Sequence, residues 1–221
     1  MQLGDTIPFL LRYARHHNPF VQDIDGVLAI ARNATLTNRG QFVYSNLGVA
    51  LLGHALAAAA GTDYAQLLQE RVFTPLGMTE SSLPMTGENL PSDAPRGYSA
   101  AGIAEAPWAI DGWAPAGGAR STAADMVRYV QALLDGSAPG MDALTPRWQF
   151  GALQIGYVWT TQEEQGHTVT YKNGLTAGFT SKIILDRANH RAVIVLSNTA
   201  AQVDDAANNL LVGEHAWISS Q

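Results

Sequence analysis

Two short stretches of this chain concentrate side chains that can hydrogen-bond a substrate or move a proton. The first is Tyr44-Ser45-Asn46, which directly precedes a long apolar run. The second is YKNGLTAGF, which contains Lys172. Phenol, amide and ammonium groups serve as hydrogen-bonding and acid–base groups in enzymes. Both stretches are therefore candidates for parts of a catalytic or binding site.

Each stretch also has a purely structural interpretation. Ser45 and Asn46 are common N-cap residues, and Tyr44 could be a core aromatic side chain, so capping is the simpler explanation on spacing alone. Lys172 could be an exposed lysine at a strand end before a glycine turn. However, the chain has only two lysines, Lys172 and Lys182. One of them lies on a predicted strand beside a glycine that would let another backbone approach closely, which favours a functional role.

Composition limits the classes of function. The chain has 221 residues, 47% of them hydrophobic and 14% charged, which is typical of a globular protein with a sizeable core. The net charge of -6 argues against nucleic acid and anionic membranes as partners. Cysteine is absent, which excludes disulfides, thiolate zinc sites and a cysteine nucleophile. No stretch has the pattern of a membrane-spanning helix or a signal peptide.

Helices are expected in the first part of the chain. The run 47–60 is apolar on nearly all sides, which predicts a buried helix, and Gly61 is placed to end it. Asp63 and Thr122 have the spacing of N-caps for two further helices. The segment 80–118 is rich in Gly, Pro and Ser, and its length indicates a functional segment. The predicted helices are 25–34, 47–60, 63–73, one that begins after 122, and 204–217.

Strands are expected after Pro146. The pattern predicts strands at 153–159, 167–172, 179–186 and 192–197, with a hairpin turn at Asn189-His190. The last strand contains the continuously apolar run AVIVL, which predicts burial on both faces. Helices from both ends of the chain over such strands indicate an α+β fold with an antiparallel sheet. We expect a single domain over 1–221, helical to about 146 and strand-rich from about 147.

Several stretches of the chain resemble the sequence of one known protein family. FVYSNLGVALLGHALAAAAGTDYAQLLQERVFTPLGM strongly resembles the Tyr-x-Asn region of the serine β-lactamase and penicillin-binding-protein superfamily. The nearest branch is the class C β-lactamase-related group of hydrolases, D-Ala-D-Ala carboxypeptidases and esterases. In the same order, the chain contains GGARSTAADMVRYV, YKNGLTAGF and KIILDRANHRAVIVLSN, which resemble the following helix, the Lys-Thr-Gly strand and the hairpin after it.

The resemblance implies catalytic roles for three residues. In the family a serine, followed three residues later by a lysine, attacks a carbonyl, and the tyrosine of Tyr-x-Asn assists proton transfer. That tyrosine corresponds to Tyr44. A tyrosine acting as a base near neutral pH needs its pKa lowered by ~3 units, roughly 4 kcal/mol of preferential phenolate stabilisation. Lys172 is one source of that stabilisation, and Asn46 would hydrogen-bond the substrate amide.

The resemblance also implies a substrate-binding strand. Lys172 would orient a substrate carboxylate, and the backbone N–H of Leu175 would be one oxyanion donor. The neighbouring Asn173, Gly174 and Thr176 are the other expected substrate-binding residues. Asn173 stands where the family commonly has Thr or another small polar residue, which departs from the family's pattern of carboxylate recognition.

The main departure from the family is the nucleophile. Ser-x-x-Lys needs a serine three positions before a lysine, but Val169 precedes Lys172 and Phe179 precedes Lys182 at that spacing. The family carries this motif well before Tyr-x-Asn, so we interpret the chain as an N-terminally truncated, partial domain. Because loss of a catalytic serine typically costs on the order of a million-fold in turnover, we predict that the chain alone is inactive.

Other chemistries have less support. Ser45 is expected to point away from its neighbours, and Ser121 and Ser181 have no partner identifiable from sequence. His54, in the apolar run, is expected to be a core histidine with a satisfied hydrogen bond, and His16 to be solvated. The chain lacks a His-x-x-x-His pair, a P-loop and a dinucleotide fingerprint, so neither a metal nor a cofactor is expected.

Three hypotheses remain for the function. The chain could be the C-terminal portion of a serine hydrolase acting on β-lactams, D-Ala-D-Ala peptides or esters. It could instead be a non-catalytic descendant that binds a peptide or peptidoglycan-like ligand, or a half-enzyme completed by a partner chain. A chain without the family's first part would expose apolar surface around 47–60 and a sheet edge, which favours self-association. The family is often periplasmic or extracellular, but this chain shows no signal-peptide pattern.

Overall fold

The second half of the chain folds into a meander of antiparallel strands with helices packed around it. A computed structural model describes residues 3–176 and 178–213. The helices are α1 Leu3–Ala14, α2 Ile24–Asn33, α3 Asn46–Ala60, α4 Tyr64–Leu68, α5 Ala114–Gly117, α6 Ala123–Asp135 and α7 Asp204–Val212. The strands are β1 Trp148–Phe150, β2 Leu153–Ile155, β3 Thr160–Glu164, β4 His167–Thr176, β5 Phe179–Asp186 and β6 Arg191–Ser197.

The six strands form one sheet in sequential order, β1 to β6, with every neighbouring pair antiparallel. The predicted strand over 153–159 is wrong in its second half, because a turn from Gly156 to Trp159 separates β2 from β3. A Cβ on Gly156 would lie 2.4 Å from the carbonyl oxygen of Ala143, so the turn depends on a tertiary contact. The short strands β1 and β3 were not predicted.

The sheet carries the main core on its two faces. On one face α6 contributes Val130 and Leu133 to a cluster that includes Trp159 and Leu185. On the other, α7 packs Ala207 and Leu211 against Val169, Ile184 and Val193. The predicted end of α7 at 217 lies outside the described residues. The prediction that β6 is covered on both faces is confirmed for four residues of its apolar run: Ala192 and Ile194 pack against the first cluster, and Val193 and Val195 belong to the second, whereas Leu196 is exposed.

Helix α3 begins and ends where its caps predict. The Ser45 hydroxyl accepts a hydrogen bond from the N–H of Gly48, and Gly61 ends the helix in the left-handed conformation at φ +71°. Its buried face consists of small residues that pack against α5, and a Cβ on Gly53 would lie 2.3 Å from Pro115 Cβ. The prediction of burial on all sides is wrong, because Leu52 and Leu56 are half-exposed.

The long segment 80–118 is held at its start and near its middle by polar contacts. The buried carboxylate of Asp125 accepts hydrogen bonds from the Glu80 N–H and the Ser81 hydroxyl, both at 2.8 Å, and forms a 2.6 Å ion pair with Arg128. Farther along, the Tyr98 N–H is shared between the carbonyl oxygens of Gly178 and Asn198. The segment therefore joins α6 to the end of the β4–β5 hairpin. No helix in the described part of the chain is both long and apolar enough to cross a membrane.

A glycine does admit a close backbone approach near Lys172, but it is Gly178 rather than Gly174. A Cβ on Gly174 would meet only the side-chain oxygen of Ser181, at 2.9 Å. A Cβ on Gly178 would lie 2.3 Å from the Tyr98 nitrogen, and φ there is +70°. Both the close approach of the Tyr98 nitrogen and the positive φ disfavour any residue larger than glycine at position 178.

We predict that Gly178→Ala destabilises the fold more than Gly136→Ala does. Gly136 has a similar φ of +74° with open space around its Cβ position, so its variant reports the backbone cost alone, about 1 kcal/mol. The clash at Gly178 should add about 1–3 kcal/mol. Urea unfolding of the two variants measures the difference. Equal losses of unfolding free energy would contradict the packing of segment 80–118 on the hairpin.

Candidate functional site

The Tyr44-Ser45-Asn46 stretch contributes both a helix cap and a possible site. Ser45 is extended, at φ -147° and ψ 109°, and its hydroxyl caps α3. The capping interpretation is therefore correct for Ser45. The interpretation of Tyr44 as a core aromatic side chain is wrong, because 57% of Tyr44 is exposed. The cap residue thus separates two side chains, Tyr44 and Asn46, that are free to form other contacts.

The structure brings the three predicted catalytic residues together. The Tyr44 hydroxyl donates a 2.9 Å hydrogen bond to Oδ1 of Asn46. The Nζ atom of Lys172, on β4, lies over the Tyr44 ring at 4.9 Å from its centroid. A cation in this position is attracted by the electron-rich ring face. The N-terminus of α3 and the middle of β4 therefore meet at a phenol, an amide and an ammonium group.

The two lysines of the chain have different surroundings. Lys182 is buried, and its Nζ contacts Oδ1 of Asn208 at 2.7 Å and Oδ1 of Asp204 at 2.9 Å. Lys182 therefore fastens α7 to the sheet. No salt bridge joins Lys172 to a carboxylate among residues 3–176 and 178–213. Partial burial lowers the pKa of Lys172 below the ordinary lysine value, because the charged form loses hydration.

Beyond Lys172, one edge of β4 pairs with no other strand in the described part of the chain. Pairing between β3 and β4 stops at Thr160 and Tyr171, whereas β4 continues to pair with β5 as far as Thr176 and Phe179. The predicted substrate-binding residues lie on this overhang: Asn173, Gly174 and Leu175 are exposed and Thr176 is half-buried. The overhang therefore offers backbone hydrogen-bonding groups beside the ammonium group of Lys172.

Aromatic residues near this site were not predicted. The Phe42 ring, two residues before Tyr44, contacts the Phe150 ring with centroids 5.6 Å apart. On the same short strand, Trp148 contacts Tyr157 with centroids 6.0 Å apart. The alternation of Trp148 and Phe150 on β1 was the available sequence signal, because alternate residues of a strand share a face.

Two of the remaining serines and two of the histidines have structural partners. The Ser121 hydroxyl lies 2.7 Å from the Ser81 hydroxyl, which also donates to Asp125, and Ser81 is buried. His54 is satisfied by the carbonyl oxygen of Gly112 at 2.7 Å, as predicted. His16 is not fully solvated as predicted, because its Nδ1 lies 2.7 Å from Oε1 of Glu105. The described residues contain no cluster of three potential metal ligands.

Comparison with known sequences agrees with the resemblance. A family model described as Beta-lactamase matches residues 11–216. Beta-lactamase-like protein 2 of Dictyostelium discoideum is 29% identical over 192 residues, which are 76% of this chain and 34% of that protein. The D-alanyl-D-alanine-carboxypeptidase/endopeptidase AmpH of Escherichia coli K12 is 29% identical over 198 residues, which are 77% of this chain and 50% of that protein. The chain thus spans between a third and a half of these relatives.

Solved structures confirm the predicted α+β fold. A class C beta-lactamase superposes with a TM-score of 0.75 at 19% identity, over 89% of this chain and 65% of that one. The D-alanine carboxypeptidase AmpC from Burkholderia cenocepacia superposes with a TM-score of 0.72 at 22% identity, over 86% of this chain and 66% of that one. The octameric penicillin-binding protein homologue from Pyrococcus abyssi superposes with a TM-score of 0.72 at 21% identity, over 85% of this chain and 46% of that one. Because the family model covers nearly all of its length, this chain belongs to the Beta-lactamase family.

Proposed function

We propose that this chain carries the tyrosine, asparagine and lysine side of a serine-hydrolase acyl-transfer site. Its ligands are carboxylate-bearing β-lactams, D-Ala-D-Ala peptides or related esters, and the chain alone binds them without turnover. The observation that carries the proposal is the ammonium group of Lys172, held against Tyr44 with no carboxylate partner in the described residues. A half-buried cation without a salt bridge is suited to receive an anion from a ligand.

Each residue has a distinct role in this proposal. Lys172 binds the ligand carboxylate, and Asn46 hydrogen-bonds the ligand amide next to the Tyr44 hydroxyl. The backbone N–H of Leu175 donates a hydrogen bond to the carbonyl oxygen on which negative charge develops during the reaction. The open edge from Asn173 to Thr176 binds the ligand backbone. Tyr44 exchanges the proton with the attacking or leaving group when a nucleophile is supplied.

The absent nucleophile is the reason for proposing binding without turnover. No lysine in the 221 residues follows a serine at the family's spacing. We assign the serine next to Tyr44 a structural role, because the Ser45 hydroxyl caps α3. Loss of a catalytic serine costs on the order of a million-fold in turnover in a complete enzyme.

The first test of this proposal is ligand binding by calorimetry. Lys172→Met removes the charge but keeps much of the apolar stem, so affinity for an N-acetyl-D-Ala-D-Ala peptide should fall by about 10- to 100-fold. The matched amide-terminated peptide should bind weakly to both proteins. Arg187→Met is the control, because it also removes a cation, from an exposed side chain in the turn between β5 and β6. Unchanged affinity in Lys172→Met would contradict the proposed carboxylate site.

The second test is the pH dependence of that affinity. Lys172 must be protonated to bind an anion, and burial lowers its pKa, so affinity should fall with rising pH below the range in which exposed lysines titrate. Lys172→Arg keeps its charge at all these pH values and should remove the decline. Titrations from pH 7 to 10 measure both proteins. A decline that persists in Lys172→Arg would assign the titration to another group.

A half-enzyme completed by another polypeptide is the second candidate. Two apolar residues of α3, Leu52 and Leu56, are half-exposed, and β6 ends the described sheet with Leu196 exposed. An exposed apolar helix face and an exposed sheet edge are each typical of a surface that another chain covers. We expect light scattering to show the isolated chain as an oligomer, or its thermal melt to be broad. A monodisperse monomer with a sharp melt at high temperature would contradict this candidate.

A further inference from the structure

Helix α1 leaves an apolar face uncovered. Leu10, Leu11 and Tyr13 are 55%, 51% and 57% exposed. Leu10 and Tyr13 are three residues apart and share a face of the helix, and Leu11 extends that face on one side. We refer to these three side chains as the α1 apolar face. The function proposed above uses none of them.

Helix α1 is attached to the rest of the protein through a different side chain, Phe9. The Phe9 ring packs edge-on against Phe20, with centroids 5.4 Å apart. Phe20 in turn contacts Trp108 and Trp113, at 5.2 and 5.4 Å between centroids. Both tryptophans belong to segment 80–118. The aromatic contacts therefore hold α1 against that segment and leave the α1 apolar face directed away from the protein.

The charges next to this face are positive. From residue 6 to residue 22 the sequence contains Arg12, Arg15 and two histidines but no acidic residue. The Arg15 N–H bonds to the carbonyl oxygen of Leu11 at 3.2 Å, so Arg15 continues the last helical turn in the same row as Leu11. The Nε atom of Arg12 donates to the carbonyl oxygen of Asn18 at 2.8 Å. Within the described part of the chain, no salt bridge joins either arginine to a carboxylate.

The acidic residues closest to this stretch are already compensated. Oε1 of Glu105 lies 2.7 Å from Nδ1 of His16, and 14% of the Glu105 side chain is exposed. Asp23 and Asp25 lie at the N-terminus of α2, where the helix dipole offsets negative charge. The chain as a whole has a net charge of -6. Screening limits each charge to about 10 Å at about 0.1 M salt, so the local arginines determine which surface this face attracts.

The size of the α1 apolar face favours a lipid surface over a folded protein. Three half-exposed side chains of this kind present roughly 300 Å², well below the ~800 Å² per partner that a stable protein interface buries. An interfacial helix needs less area, because it buries one face among lipid headgroups while nearby cations contact the lipid phosphates. The 12 residues of α1 span about 18 Å, so the helix can lie on a bilayer but cannot cross it.

We propose that the α1 apolar face, together with Arg12 and Arg15, binds the surface of an anionic phospholipid bilayer. The two leucines enter between the headgroups, and the two guanidinium groups contact lipid phosphates. Tyr13 suits the boundary, because its ring is apolar and its hydroxyl stays hydrated. This inference goes beyond the proposed function and is independent of it, because none of these residues belongs to the candidate site.

Co-sedimentation of the full chain with vesicles tests the charge component of the proposal. At low salt, the partition coefficient should be about 10- to 30-fold higher for vesicles of equal parts phosphatidylglycerol and phosphatidylcholine than for phosphatidylcholine alone. High salt should remove most of that difference. Arg12→Gln and Arg15→Gln should each lower binding to the anionic vesicles about fivefold. Arg187→Gln is the control, because it removes a cation from an exposed side chain between β5 and β6.

The apolar component is tested with the same vesicles. Leu10→Ser and Leu11→Ser should each lower binding to the anionic vesicles about tenfold, because less apolar area enters the bilayer. Both positions are half-exposed, so the substitutions leave the core intact. Leu210→Ser on α7 is the matched control, because Leu210 is 48% exposed, and this variant should bind as the unsubstituted chain does.

Three results would overturn the proposal. Unchanged vesicle binding in both leucine variants would exclude insertion of the α1 apolar face. Equal partitioning onto the two vesicle types would exclude recognition of anionic lipid. If light scattering shows that the leucine variants lose self-association while vesicle binding is unchanged, the face joins copies of the chain instead. None of these results affects the carboxylate site, which the peptide titrations test separately.

Discussion

The proposed site depends on one ammonium group that has no carboxylate partner among the residues the structure describes. Lys172 is partly buried on β4, and its charge faces the Tyr44 ring instead of an acid. Burial of a charge is costly unless another group compensates for it. The contrast with Lys182 is informative, because that lysine has both Asp204 and Asn208 as partners and serves to hold α7. This difference assigns Lys182 a structural role and is the basis for proposing that Lys172 binds a ligand.

The surrounding elements keep this ammonium group accessible. Ser45 fixes where α3 begins, which places Tyr44 and Asn46 on either side of the cap. Pairing of β3 stops one residue before Lys172, so the rest of β4 keeps an open edge. At the end of that strand, Gly178 lets segment 80–118 approach the hairpin. Local capping, strand register and one close backbone contact together define the geometry of the site.

Sequence reasoning succeeded where local chemistry determines structure. The caps at Ser45, Gly61 and Thr122 predicted helix limits correctly, and the family resemblance singled out Tyr44, Asn46 and Lys172, which lie together. It failed where distant contacts decide. The break at Gly156 depends on a contact with Ala143, and the exposure of Leu52 and Leu56 depends on what packs against α3. No periodicity within a segment contains that information.

The central claim is that this chain holds a recognition site but no nucleophile of its own. The most direct test is intact mass spectrometry of the purified chain after incubation with a fluorescent penicillin or a fluorophosphonate, with peptide mapping of any adduct. The account predicts that no covalent adduct forms, although the non-covalent ligand binds. An adduct mapped to a serine would contradict it, because the chain would then carry a nucleophile outside the Ser-x-x-Lys arrangement.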